Sequence, residues 1–260
     1  MVAPEIGLST LYSLGQPFKE SIQNILKNNV KFIEVVDEGL HQLDKRRVSK
    51  LIEIGKSYSL KYSVHAPFVD INIASPSKTL LKAMFKRLLN SLTNARALEA
   101  QVWVVHSGLK TGISMFYPEE DWVKNLETMQ LLCKTARDYG INLALENLPD
   151  PYPFLMKRVE DFQKFYGEIS EEVGLALDIG HANLNGQIEF FIEKFPDKIV
   201  HIHAHDNNGM EDQHLGIGFG TVNWSKTVKA LKEVAYSKTV VVESVEHVSE
   251  SLKTLERLLV

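Results

Sequence analysis

Eight short runs rich in β-branched and other apolar residues alternate along this chain with longer segments of helical periodicity. The longer segments place apolar side chains three or four positions apart, as a helix with one buried face requires. The predicted strands are EIGLSTL (5–11), FIEVVDE (32–38), KYSVHAP (61–67), QVWVVHSG (101–108), INLALENL (141–148), VGLALDIGHAN (173–183), IVHIHAHDN (199–207) and TVVVESVE (239–246). Eight strand–helix units in about 250 residues predict a closed (β/α)8 TIM barrel. A doubly wound open sheet is the competing arrangement, and it usually contains fewer units.

The sequence contains neither a low-complexity tract nor a linker rich in Pro, Gly or Ser, so we expect a single domain over residues 1–260. The 29 basic and 33 acidic residues give a net charge of -4, which provides no overall basic field for nucleic acid or an anionic membrane. A single cysteine, Cys133, excludes an internal disulfide and a thiolate-rich metal site. Without a signal peptide or an apolar run of roughly 20 residues, we expect a cytoplasmic protein with no membrane partner.

Acidic residues and histidines fall late in the predicted strands or just after them. They are Glu34, His65, His106, Glu146, Asp178, His181, the cluster at 201–214 and Glu243. The C-terminal ends of all strands in such a barrel open onto one face, so we expect these side chains to converge there. Alternation along the seventh strand predicts that three histidines face the interior and three apolar residues face the helices. The two sets are His201, His203 and His205, and Val200, Ile202 and Ala204.

Several buried carboxylates and imidazoles in one place indicate a divalent cation, because an unpaired buried charge is strongly unfavourable. Imidazole and carboxylate without thiolate suit zinc or manganese best, and magnesium or cobalt are the other candidates. The pairs Asp178-x-x-His181 and Asp212-x-His214 can each present two ligands to one ion or bridge two ions. A lone histidine on a strand is more often a hydrogen-bonded core residue, and it is the joint pattern at successive strand ends that favours metal.

Across nearly its whole length the chain resembles the xylose isomerase-like TIM barrel superfamily, which holds sugar isomerases, sugar and sugar phosphate epimerases, and endonuclease IV. The segments that carry the resemblance are HAPFVDINIAS, VVHSG, LALENLP, LALDIGHAN, HIHAHDNNG, DQHLGIGFGTVNW and VVVES. The isomerase and epimerase branch implies one divalent ion held by Glu146, Asp178, His203 and Glu243. Endonuclease IV implies three zinc ions held with additional ligands, which match His65, His106, His181, Asp212 and His214.

The first interpretation is an enzyme that isomerises or epimerises a small sugar or sugar phosphate through metal-stabilised proton transfer. A bound ion would act as a Lewis acid, while Glu146 and Glu243 remove and return the proton. Substrate contacts are expected from Glu34, His181, His205 and Lys110. Glu34 is alternatively a partner of a metal ligand. Lys110, together with the backbone of Gly218 and Gly220, is the candidate contact for a phosphate.

Two other functions stay open. An endonuclease acting at abasic sites would use three ions for hydrolysis, an apolar wedge to flip the nucleotide out and a basic groove for the DNA backbone. Phe68 and Val69 are candidate wedge residues, but Asp70 adds negative charge beside them and the sequence contains no evident basic groove. The third function is that of a metal-binding barrel without catalysis, against which the presence of both Glu146 and Glu243 argues.

Overall fold

The computed structural model describes residues 3–259, in which eight parallel strands close into a barrel. Each strand pairs with the next along the chain, and β8 returns to pair with β1, so the open-sheet alternative is excluded. The strands are β1 (Glu5–Ser9), β2 (Phe32–Val36), β3 (Lys61–His65), β4 (Val102–Val105), β5 (Asn142–Glu146), β6 (Gly174–Asp178), β7 (Ile199–Ala204) and β8 (Thr239–Val242). The predicted (β/α)8 TIM barrel is confirmed.

Helices connect the strands and cover the outside of the barrel. Their bounds are α1 (Phe18–Lys27), α2 (Lys45–Tyr58), α3 (Lys78–Ala97), α4 (Glu120–Asp138), α5 (Val159–Glu168), α6 (Ile179–Leu184), α7 (Ile188–Lys194), α8 (Trp224–Glu233) and α9 (Val248–Leu259). Within residues 3–259, none of the helices combines the length and the apolar composition that crossing a membrane requires.

The core has two layers. The larger one lies between the helices and the outward faces of the strands, with residues such as Leu8, Ile33 and Trp103 fully buried in it. The smaller one fills the lower interior of the barrel and consists of Val102, Val104, Ala144 and Ala176, with Val200 packed against them. Small and branched side chains at this level close the bottom of the barrel, so the space above it opens only towards the C-terminal ends of the strands.

The prediction that Val200 faces the helices is wrong. The register between β6 and β7 shifts at this point, because Leu175 pairs with Ile199 whereas Ala176 pairs with His201. This irregularity leaves Val200 unpaired and turns it into the interior, where a Cβ on Gly174 would lie 2.4 Å from its methyl group. Ile202 and Ala204 lie in the outer layer as predicted.

Most of the predicted strands extend past the observed ones at the C-terminal end, where the chain turns over the mouth of the barrel. The largest difference follows β6, which ends at Asp178 although the predicted strand continues to residue 183. The Asp178 carboxylate accepts a hydrogen bond from the backbone N–H of His181 at 2.7 Å and begins α6 at once. The helix therefore presents His181 to the barrel mouth.

The segment that follows β7 is organised around the buried carboxylate of Asp206. This side chain accepts hydrogen bonds from the backbone N–H groups of Asn207, Gly218 and Val222 and from the indole of Trp224, at 2.9 to 3.0 Å. A carboxylate with four donors tolerates complete burial, because hydrogen bonds replace its hydration. The loop between these anchors carries the predicted ligands of residues 212–214.

Helix α6 lies so close to the end of β7 that only glycine fits at position 180. A Cβ on Gly180 would lie 2.0 Å from Cε1 of His205. The imidazole has little freedom to move away, because it stacks on His214 with ring centroids 3.8 Å apart and its Nε2 lies 3.0 Å from the Asp178 carboxylate.

We expect the substitution Gly180→Ala to lower the free energy of unfolding by about 1–3 kcal/mol, the usual cost of overpacking a rigid site. Thermal and urea denaturation would measure it. The matched control is Gly167→Ala, another helical glycine, around which the Cβ position is open to 4 Å. The control should be neutral or stabilising by up to about 1 kcal/mol. Equal effects of the two substitutions would contradict the steric explanation.

Candidate functional site

A cavity of about 360 Å³ opens at the C-terminal ends of the strands. Its titratable wall consists of His65, His106, Glu146, His181, Asp212, His214 and Glu243. Its apolar wall consists of Leu11, Val36, Phe68, Pro149, Tyr152, Phe154 and Val245. The cavity therefore combines one chemically reactive side with one side suited to the carbon skeleton of a small ligand.

Four side chains form the centre of the reactive side. They are Glu146 from β5, Asp178 from β6, His203 from β7 and Glu243 just after β8, and each offers one ligand atom within 4.8 Å of the others. The Nδ1 atom of His203 lies 2.9 Å from Glu146 Oε1, 3.5 Å from Glu243 Oε2 and 3.8 Å from Asp178 Oδ2. We call this group the central quartet. Three carboxylates and one imidazole at this spacing can hold a divalent cation.

The two glutamates of the central quartet differ in their acidity. Burial alone would raise the pKa of Glu146, but its electrostatic interactions and hydrogen bonds with His203 and His106 outweigh burial and hold that pKa well below its usual range. Burial raises the pKa of Glu243 to about 7 even though His203 opposes this shift. The surroundings of the two carboxyl groups therefore shift their pKa values in opposite directions.

A second cluster extends from Glu146 towards the ends of β3 and β4. The Nε2 atoms of His65 and His106 lie 3.2 and 3.0 Å from the same oxygen, Glu146 Oε2. Burial opposes a charge on His65, but its hydrogen bond to Glu146 prevails and raises the pKa of His65 to about 9. Burial lowers the pKa of His106, and the nearby Glu146 carboxylate offsets this shift only in part. The pair can therefore supply one charged and one neutral imidazole.

A third cluster lies on the other side of the quartet and contains His181, His205, Asp212 and His214. Asp212 Oδ2 lies 3.2 Å from His181 Nε2 and 3.4 Å from His214 Nε2. Burial disfavours the charged forms of both His181 and Asp212. The acids that face His181 nevertheless raise its pKa to about 10. Hydrogen bonds from His181 and His214 lower the pKa of Asp212. The structure thus brings all nine sequence-predicted metal ligands to one end of the barrel in three adjoining groups.

The four predicted substrate contacts lie in different environments. His181 is one of the described residues that line the cavity, whereas Glu34, His205 and Lys110 do not line it. Glu34 is fully buried in the barrel interior, and His205 is fully buried behind His214. The side chain of Lys110 is exposed in the loop after β4.

Sequence reasoning missed much of the apolar wall. Tyr152 and Phe154 lie in the proline-containing loop after β5, and an antiparallel bridge between Leu109 and Phe154 fixes this loop against the loop after β4. The position of these aromatic residues just past a strand end was the available signal. Phe68 also belongs to this wall, because its ring packs against His65 and His106 at centroid distances of 5.1 and 5.0 Å.

Comparisons with known proteins agree with this architecture. A family model described as a xylose isomerase-like TIM barrel matches residues 22–258. An uncharacterised protein of Methanocaldococcus jannaschii is 33% identical over 258 residues, which cover 98% of this chain and 88% of that protein. The D-psicose 3-epimerase of Ruminiclostridium cellulolyticum is 21% identical over 237 residues, which cover 87% of this chain and 78% of the enzyme.

A solved structure described as a D-tagatose 3-epimerase-like protein superposes with a TM-score of 0.92 and 32% sequence identity. The superposition covers 98% of this chain and 97% of that chain. The family match spans most of the barrel, and relatives above 30% identity extend along nearly the whole sequence. This protein therefore belongs to the xylose isomerase-like TIM barrel family.

Proposed function

We propose that this protein is a divalent-metal-dependent isomerase or epimerase of a small sugar. The observation that carries the proposal is the central quartet, in which Glu146, Asp178, His203 and Glu243 offer ligand atoms within 4.8 Å of one another beside a cavity of sugar size. The similarity to a protein described as D-tagatose 3-epimerase-like and to a D-psicose 3-epimerase supports it. Imidazole and carboxylate ligands favour zinc or manganese, with magnesium or cobalt as the other candidates.

Two buried oxygen atoms support the presence of a cation. Among the residues that the structure describes, Glu243 Oε1 and Asp212 Oδ1 are buried without a hydrogen-bond partner. A buried carboxylate oxygen without a donor is costly, and a divalent cation would satisfy it. When bound, the ion would act as a Lewis acid that polarises the substrate carbonyl and neutralises charge on its oxygen.

The protein's own residues would carry the proton transfer. Glu146 is held ionised by its histidine neighbours and is suited to remove a proton from the carbon next to the carbonyl. Glu243, the other glutamate of the central quartet, would deliver a proton to the opposite face of that carbon. In the reverse reaction the two glutamates exchange these roles. His181 lines the cavity and would orient a substrate hydroxyl.

The charge of the cavity wall favours a neutral sugar over a sugar phosphate. Among the described residues, those that line the cavity include no lysine or arginine, whereas three of them are acidic. A phosphate would therefore meet three carboxylates, and only the histidines of the wall could compensate for its charge. The predicted phosphate contact of Lys110 has no counterpart in this wall, and Gly220 packs against Asp206 and Asn207.

Purified protein loaded with manganese, zinc, magnesium or cobalt should epimerise or isomerise at least one member of a panel of free ketoses. We expect Glu146→Gln and Glu243→Gln each to lower the rate about 10²–10⁴-fold, the usual contribution of a general acid or base. Product analysis and deuterium uptake from solvent at the reacting carbon would both be measured. The matched control is Glu119→Gln, which changes an exposed carboxylate paired with Lys164 and should leave the rate unchanged. Turnover that persists in both cavity variants would refute the assignment.

A specific observation keeps a nuclease as the second candidate function. The clusters around Glu146, Asp178 and Asp212 adjoin one another and contain the nine residues that the resemblance to endonuclease IV suggests as ligands of three ions. The candidate wedge is weak, however, because Phe68 packs against two cavity histidines and only Val69 projects, with 65% of its surface exposed. The net charge of -4 also gives no broad attraction to DNA.

We therefore expect no incision of a duplex oligonucleotide containing one abasic site, when bound metal has been verified by elemental analysis. The Glu146→Gln variant controls for a contaminating nuclease. Incision that is lost in this variant would assign the site to phosphodiester hydrolysis instead. Metal binding with neither sugar turnover nor incision would favour the non-catalytic barrel.

A further inference from the structure

Glu34 lies in the middle of β2 and faces the interior of the barrel, directly beneath the central quartet. Its side chain is fully buried. Its Oε2 atom accepts hydrogen bonds from Ser63 Oγ and His201 Nε2, both at 2.9 Å, and its Oε1 atom lies 3.1 Å from His203 Nε2. Glu34 therefore contacts the quartet from below through His203.

The two nitrogens of the His203 ring point in opposite directions. Nε2 faces Glu34, whereas Nδ1 lies 2.9 Å from Glu146 Oε1 among the other ligand atoms of the quartet. A ring nitrogen binds metal only when it carries no proton, so the proton of a neutral, ligating His203 must lie on Nε2. Ligating histidines generally donate this second N–H to a carboxylate or a carbonyl, which sets both the tautomer and the ring orientation.

We propose that Glu34 is a positioning residue that holds His203 with its proton on Nε2 and its Nδ1 directed at the metal. Ser63 and His201 hold the Glu34 carboxylate in place for this purpose. The inference rests on the proposed metal function of the central quartet. Of the two roles that the sequence suggested for Glu34, it favours the partner of a metal ligand over the substrate contact, because the side chain is buried beneath the quartet.

The polar layer formed by Glu34, Ser63 and His201 is an unusual filling for this part of the fold. Interiors of such barrels are normally packed with branched apolar side chains, as the layer of Val102 and Val104 illustrates lower down. A fully buried carboxylate surrounded by two histidines is seldom more stabilising than an apolar replacement of the same volume. A polar group that is less stabilising than an apolar side chain is expected in a barrel interior where function requires it.

The decisive experiment compares Glu34→Gln with Asp37→Asn in metal titrations of the full chain. Affinity for zinc and cobalt is measured by competition with a chromophoric chelator, and the cobalt absorption spectrum reports ligand geometry. We expect Glu34→Gln to weaken binding 10- to 100-fold at unchanged stoichiometry and to alter the cobalt spectrum. Asp37 is the matched control, since it is a fully buried carboxylate three residues further along the chain, paired with Arg87 away from the quartet. Asp37→Asn should leave metal affinity unchanged.

Each outcome separates this inference from the proposed function. If the wild-type protein binds no metal, the proposed function fails. If the wild type binds metal and Glu34→Gln binds it equally well, the positioning role is overturned while the proposed function stands. Loss of one whole equivalent of metal in Glu34→Gln would overturn the role too, because Glu34 would then be a ligand itself.

A milder variant tests the same role if Glu34→Gln does not fold. Ser63→Ala removes one donor from Glu34 Oε2 and leaves the carboxylate in place. We expect a several-fold loss of metal affinity for this variant and no change in stoichiometry. Unchanged affinity in a folded Ser63→Ala protein would contradict the proposal that Ser63 holds Glu34 for the metal site.

Discussion

The carboxylate of Glu146 connects the whole functional end of the barrel. One of its oxygens faces His203 within the central quartet, and the other faces both His65 and His106. These partners lie in β7, in β3 and just after β4, so the position of one side chain depends on the closure of the barrel as a whole. In a low-dielectric interior such a charge is tolerated only with compensating partners, and here histidines surround it.

The irregular register of β7 is the backbone feature that places the histidines. Strict alternation along this strand would give Val200 and His201 opposite faces, but the shift at Val200 lets both lie in the interior. From His201 onwards the pairing is regular again, and His203 lies opposite Asp178 on β6 and Val241 on β8. Bulges are over-represented next to active sites because they reorient side chains, and this one separates the apolar floor from the polar layer above it.

Much of the architecture was predictable from the sequence. The alternation of strand and helix patterns predicted the closed barrel, and the position of Glu146 and Asp178 at strand ends predicted that they lie at one face, where the structure has them. The resemblance to the family, and not the spacing of the residues, separated the four ligands of the central quartet from the additional ligands of a three-ion site. The predicted strands extend too far at their C-terminal ends, because the residues that follow a strand resemble the strand in composition. After Asp178, for example, the chain turns directly into a helix. The partners of Glu34 were not predictable from spacing alone, because Ser63 meets it from the neighbouring strand β3 and His201 reaches it from β7 across the barrel.

The Asp206 network has a thermodynamic consequence for the cluster beside it. The four donors that converge on this carboxylate fix the loop from residue 206 to residue 224 during folding. The conformational entropy of Asp212 and His214, which this loop carries, is therefore lost before any ligand arrives. A ligand at this cluster meets a preorganised surface and need not supply the free energy of ordering it. Asp206 thus contributes to binding at a cavity that its own side chain does not line.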